Sequence, residues 1–179
     1  MFIKLDEALN WLYTRKRFDR RTDLSIIEDA LKLLGNPEKS FKAIHIAGTN
    51  GKGSTSKYLY NILKSNNYKV GLFTSPHVLK FNERIIFDGE MINDKDLFEL
   101  INYIYDFNES FMKSHETLTF FELTTIMAFL YYSRKKADIA VIECGLGGRL
   151  DATNVIKPLV SIITSISKAQ ALSLQPMSP

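Results

Sequence analysis

Between positions 48 and 55 the chain reads Gly48-Thr49-Asn50-Gly51-Lys52-Gly53-Ser54-Thr55. Glycines at 48, 51 and 53 let the backbone curl until several N–H groups converge on one anion. Lys52 adds a point charge suited to β- and γ-phosphates, and Ser54 or Thr55 a hydroxyl suited to Mg²⁺. The flanks agree with this reading. Residues 43–47 form a short apolar strand pattern, and residues 54–65 a helix pattern, so the helix presents its positive end to the anion. The general phosphate-loop pattern would place glycine at 46 and a hydroxyl at 53, where Ile46 and Gly53 stand. The bland alternative is a glycine-rich turn with an incidental lysine. Strand, loop and helix in the required order favour a phosphate loop, with ATP as its ligand.

A second chemical group lies far along the chain. Asp138-Ile139-Ala140-Val141-Ile142-Glu143 is an apolar strand that ends in a carboxylate. Glu143 therefore emerges at the carboxyl edge of the sheet, where open α/β sheets bind ligands and where a carboxylate can hold Mg²⁺. The alternative is an exposed acid at a strand end. Cys144 beside it reads as a small buried residue, because no partner base is evident.

The elements that position these groups follow from periodicity. Leu5, Ala8, Leu9 and Leu12 recur at helical spacing. A second helix is expected through Leu24, Ile27, Ala30, Leu31 and Leu34, capped by Asp23 and ended by Gly35-Asn36-Pro37. Strands are expected at 43–47, 70–73, 139–142 and 159–163, and helices at 54–65, 94–112 and 120–135. Residues 84–92 predict a hairpin turning at Asp88-Gly89. Strands separated by helices predict an α/β fold, a mostly parallel sheet with helices on both faces. The basic run 15–21 reads as a solvated loop or as a contact for an anionic substrate.

Composition sets outer bounds. The chain has 179 residues, 45% of them hydrophobic and 24% charged, enough for one sizeable core. Its net charge of +3 suits small anions and falls short of a nucleic-acid-binding face. Nucleic acid is therefore not expected as a partner. The single Cys144 forbids an intramolecular disulfide and points to a reducing compartment. The acidic N-terminus lacks a signal-peptide core. The longest apolar stretch, near 126–132, is far short of the roughly 20 residues a membrane span needs. A cytoplasmic protein without membrane contact is expected.

Several segments in register resemble the folylpolyglutamate synthase and dihydrofolate synthase family of the Mur ligase superfamily. They are 45–54, Phe73-Thr74-Ser75-Pro76-His77, Phe81-Asn82-Glu83-Arg84-Ile85, Thr119-Phe120-Phe121-Glu122 and 143–154. The departure of the phosphate loop from the general pattern is also the variant this wider group uses. The resemblance implies a Mur-ligase-like ATP-binding domain over 1–167, with a helical lead at 1–40 and a divergent tail at 168–179. It implies a reaction in which ATP phosphorylates a carboxylate of dihydropteroate or folate, and the amine of glutamate then attacks the acyl phosphate. Lys52 and Glu143 would be the catalytic pair, and 48–55 the nucleotide-binding stretch. Ser75, Glu143 and Ser54 would be Mg²⁺ ligands. Thr119, Phe120, Phe121, Glu122, His77 and Asn154 would be the substrate-binding set. For Phe120 and Phe121 the competing role is ordinary helix core, and for His77 it is support of its own loop.

Past 163–166 the family pattern continues through an Asp-His pair, where this chain has Ala169 and Gln170. A second domain that members carry is also not found within the 179 residues. A truncated, frame-shifted or incomplete reading is expected, with little or no synthase activity from these residues alone. Two other readings stand beside this one. One is a non-catalytic nucleotide-binding remnant. The other is a different Mur-type ligase, disfavoured by the Ser-Pro-His and Thr-Phe-Phe-Glu segments. Oligomeric state is not legible.

Overall fold

The computed structural model describes residues 1–16 and 22–167. Of the basic run, only Arg15 and Lys16 fall within these bounds. Ala169, Gln170 and the tail at 168–179 lie outside them.

Among the described residues five α-helices and six strands follow in the expected order: α1 (Leu5–Tyr13), α2 (Ser25–Leu33), β1 (Lys42–Ala47), α3 (Lys52–Ser65), β2 (Val70–Phe73), β3 (Ile85–Phe87), β4 (Glu90–Met91), α4 (Asp94–Phe111), α5 (Phe120–Arg134), β5 (Ile139–Glu143) and β6 (Val160–Ile163). They form one six-stranded sheet in the order β4-β3-β2-β5-β1-β6. Strands β2, β5, β1 and β6 run parallel. Strands β3 and β4 add an antiparallel hairpin at one edge. Both turn residues of that hairpin, Asp88 and Gly89, have positive φ, the geometry the Asp-Gly pair predicts.

The period of two along each strand divides the core between two faces. Ile44, Ile46, Val70, Leu72, Ile139 and Val141 point to one face and pack under Tyr60, Leu59 and Leu63 of α3. Ala43, Phe73, Ala140 and Ile142 point to the other, where they meet Leu123, Ile126, Met127 and Leu130 of α5. Helix α5 is buried without interruption from Glu122 to Tyr132. It contacts α2 and α4 as well as the sheet. A helix closed in on all sides needs apolar residues all round, so its sequence shows little amphipathic signal. No helix among the described residues is long and apolar enough to cross a membrane.

Two local expectations need correction. Helix α3 begins at Lys52 rather than at 54, because left-handed Gly51 already turns the chain into the first helical residue. Asp23 does not cap α2. Leu24 occupies the cap position without a side-chain bond, and the Asp23 carboxylate accepts from the amide and hydroxyl of Ser25 at 3.0 and 2.6 Å. Gly35 and Asn36 end α2 with positive φ as expected.

This order creates a crevice. Strands β1 and β5 are neighbours, yet β1 leads through α3 toward β2, while β5 leads toward β6 on the far side of β1. Two adjacent strands whose connections diverge leave a gap at their carboxyl ends, the usual ligand position in open α/β sheets.

Candidate functional site

The glycine-rich loop at 48–51 leaves the carboxyl end of β1 at that position and leads into α3. Gly51 caps α3 without a side-chain bond, and the first turn carries no acidic residue. The first helical bond runs from the Thr55 amide to the Gly51 carbonyl at 2.9 Å. The amides of Lys52, Gly53 and Ser54 come before it and have no acceptor within the helix. They form the positive end into which an anion fits. The Lys52 ammonium folds back over the loop and donates to the carbonyls of Gly48 at 2.8 Å and Thr49 at 3.3 Å.

Glu143 ends β5 beside Ile46 of β1 and is 4% exposed. Its Oε2 accepts from the Ser75 amide at 3.1 Å, which brings in the loop after β2. A methyl group built on Gly53 would lie 3.8 Å from both Glu143 oxygens, so the carboxylate faces the first turn of α3. Burial pushes the Glu143 carboxyl above its ordinary range, against the pull of the Ser75 amide and the Lys52 charge. Lys52, Gly53, Ser75 and Glu143 thus converge although they come from three separate segments. Ser54 stands in the same first turn and is exposed.

The expected substrate residues divide into three groups. Thr119 and Glu122 close a capping box on α5: the Thr119 hydroxyl accepts from the Glu122 amide at 3.2 Å, and the Glu122 carboxylate accepts from the Thr119 amide at 2.7 Å. Phe120 and Phe121 are half-buried. Phe120 stacks on Tyr13 with centroids 5.8 Å apart and lies 5.2 Å from the Arg84 guanidinium. Phe121 lies against Gly145, where an added methyl would come within 2.5 Å of its ring. His77 joins the Phe120 cluster through Arg84, whose Nε donates to His77 Nδ1 at 2.7 Å. Burial and the Arg84 charge lower the His77 pKa, so the ring is neutral and accepts. Asn154 stands apart. It is exposed and donates to the Arg149 carbonyl at 3.1 Å.

Three features were missed in the sequence. Arg84 is buried at 6% exposure among Phe81, Phe120 and His77, where the residue pattern suggested the start of a strand and the family resemblance assigned it no role. Asp151 holds the glycine-rich segment after Glu143. Its carboxylate accepts from Leu146 N at 2.8 Å, Thr153 N at 3.0 Å and the Thr153 hydroxyl at 2.5 Å. With the Thr153 proton given to Asp151, His45 donates from Nε2 to Thr153 Oγ1 at 2.7 Å, and burial lowers the His45 pKa. Cys144 is buried and its thiol is pushed far above the range where a thiolate forms, as its small-residue reading predicts. An Asp-x-Thr turn at 151–153 was a legible signal. Residues Thr164 and Ser165, which grip the phosphate loop, gave none, because their partners lie 114 and 115 positions away.

No protein-family model matches the chain. It is 40% identical over 168 residues to the dihydrofolate synthase/folylpolyglutamate synthase of Bacillus subtilis (strain 168), a match covering 93% of this chain and 39% of that protein. The crystal structure of folylpolyglutamate synthase from Thermotoga maritima superposes with a TM-score of 0.85 at 42% identity, covering 92% of this chain and 38% of that one. An FPGS-AMPPCP-folate complex superposes with a TM-score of 0.86 at 36% identity, covering 90% of this chain and 40% of that one. The chain spans about two fifths of the length of the relatives it matches. In sequence and fold, the chain is thus similar to the N-terminal part of folylpolyglutamate synthases and dihydrofolate synthases.

Proposed function

We propose that this chain provides the nucleotide site of an ATP-dependent ligase that joins glutamate to folate or to dihydropteroate. The observation that carries this reading is the placement of Glu143 against the first turn of α3, beside the Ser75 amide and Lys52. One related structure is a complex with both AMPPCP, an ATP analogue, and folate, which supports the same pairing of ligands here.

The chemistry required is activation of a poor electrophile. A carboxylate oxygen of the acid attacks the γ-phosphorus, the bond to the bridging oxygen breaks, and ADP leaves. The amine of glutamate then attacks the acyl carbon, phosphate departs with its oxygen, and the nitrogen loses a proton. Lys52 and the amides of 52–54 hold the phosphate oxygens whose charge grows during transfer. To do so Lys52 exchanges the carbonyls of Gly48 and Thr49 for phosphate.

The donor set fits Mg²⁺. Among the described residues no cluster of three or more His, Cys, Asp or Glu is arranged for a metal. Mg²⁺ needs no such cage, because it keeps waters and takes one or two carboxylates plus phosphate oxygens. Glu143, with the hydroxyls of Ser54 and Ser75, would hold it. Bound there, Mg²⁺ neutralises phosphate charge. The half-buried rings of Phe120 and Phe121 would line the pterin's position, with His77 linked to Phe120 through Arg84. The compartment that fits an ATP-driven folate ligase with a reduced Cys144 is the cytoplasm.

Binding of the acid separates a ligase from a bare nucleotide module. Pterin fluorescence should show saturable binding of dihydropteroate or folate, tightened when AMPPCP and Mg²⁺ are present. If neither acid binds with nucleotide present, the ligase reading fails.

A further inference from the structure

The segment that follows β6 is built into the phosphate loop. The Thr49 amide donates to the Ser165 carbonyl at 2.6 Å, and the Asn50 amide to the Ser165 hydroxyl at 3.1 Å. The Asn50 carbonyl accepts from the hydroxyls of Thr164 at 2.7 Å and Ser165 at 3.2 Å. The Ser167 amide donates to the Thr49 hydroxyl at 2.9 Å. Each hydroxyl has one proton, so Thr164 serves Asn50 in preference to the Ala47 carbonyl at 3.3 Å. The peptide groups of Asn50 are thereby satisfied from outside the loop.

Gly48 records the same packing. Its φ of +135° excludes most side chains, and a methyl there would lie 2.2 Å from Thr164 Oγ1 and 3.0 Å from both N and O of Ser165. That glycine admits the 164–165 segment as well as curving the loop. Because Thr49 and Asn50 spend their amides on this segment, the anion is left to the amides of the following turn, at Lys52, Gly53 and Ser54.

We propose that Thr164 and Ser165 are positioning residues for the nucleotide: their hydroxyls fix Asn50 and so aim the first turn of α3 at the phosphates. This rests on the nucleotide reading of the loop. It assigns no contact between either hydroxyl and the ligand, only the preorganisation that a loop tied at both peptide groups supplies.

The test combines two measurements on the whole chain. The first is amide hydrogen exchange over residues 48–54 without nucleotide, followed by mass spectrometry. The second is calorimetric titration with AMPPCP in Mg²⁺. Thr164→Val keeps the shape and removes the hydroxyl, Ser165→Ala removes the other, and Thr164→Ser restores the first. Thr164→Val and Ser165→Ala should each speed exchange in the loop and weaken AMPPCP about three- to tenfold, the range expected for one hydrogen bond. Thr164→Ser should match the parent in both. Unchanged exchange in both hydroxyl deletions overturns the tie, and faster exchange with unchanged affinity overturns its role in positioning. If one variant fails to fold, the other deletion decides the same two questions. Lys52→Ala, titrated alongside, tests the nucleotide reading separately. Parent-like affinity there defeats that reading, while the exchange data still decide the tie without reference to nucleotide.

Discussion

Replacing Gly48 by alanine probes how tightly the site is built. The new methyl would sit 2.2 Å from Thr164 Oγ1, where ordinary van der Waals contact begins near 3.4 Å. The overlap therefore exceeds an ångström. Rotating Thr164 away gives up its bond to Asn50, and it leaves the contacts at 3.0 Å with the Ser165 backbone, which cannot rotate. A φ of +135° adds strain of about 1–3 kcal/mol for a residue with a Cβ. Overpacking adds about 1–3 kcal/mol more. Gly35→Ala supplies the control, because its φ is +83° but nothing lies within 4 Å of the new methyl. Backbone strain alone should cost it about 1–2 kcal/mol. Urea unfolding at equilibrium measures both variants, compared at equal slope. Gly48→Ala should exceed Gly35→Ala by at least about 1 kcal/mol, the lower end of the overpacking cost. Equal losses would refute the close packing of the 164–165 segment on the loop.

Asp151→Ala leaves the amides of Leu146 and Thr153 and the Thr153 hydroxyl without their acceptor. Thermal or urea unfolding should show a loss of about 2–4 kcal/mol, because Asp151 and Thr153 are buried. Glu143→Gln should raise the melting temperature of the nucleotide-free chain near neutral pH. Burial holds the folded pKa of Glu143 above its unfolded value, so its favourable contribution is present below the unfolded value and is lost as pH rises through the folded one. The advantage of the glutamine should therefore fade as pH falls toward and below a glutamate's ordinary 4.5, which melts at a series of pH values would reveal. Thr119→Ala should cost about 1 kcal/mol through the lost cap of α5, read from the same unfolding curves.

What the sequence made legible was whatever depends on neighbours along the chain. The strand–loop–helix at 42–65 shows itself by apolar run, glycines and helix pattern in sequence. The carboxylate at the end of β5 follows from the apolar run before it. The Asp-Gly turn needs only two residues. Long-range tasks were hidden. Thr164 and Ser165 look like any polar residues after a strand, and only the parallel pairing of β1 with β6 lays them on Asn50. Thr119 and Glu122 carried a capping-box spacing that the family resemblance overshadowed, and the structure uses their side chains in that box. Asp23 was misplaced for a related reason. An Asx turn onto Ser25 and a helix cap share one local pattern, and the backbone geometry at the start of α2 selects the turn.

The central claim is that the loop at 48–55, faced by Glu143, holds a nucleotide with its metal. Calorimetric titration of the chain with AMPPCP, with and without Mg²⁺, tests it most directly when repeated on Lys52→Ala. The parent chain should bind saturably, and Mg²⁺ should tighten that binding. Lys52→Ala should lose roughly ten- to a hundredfold in affinity, the range for removing one charged hydrogen-bond donor. Absence of binding by the folded parent chain, or equal affinity in Lys52→Ala, would contradict the claim.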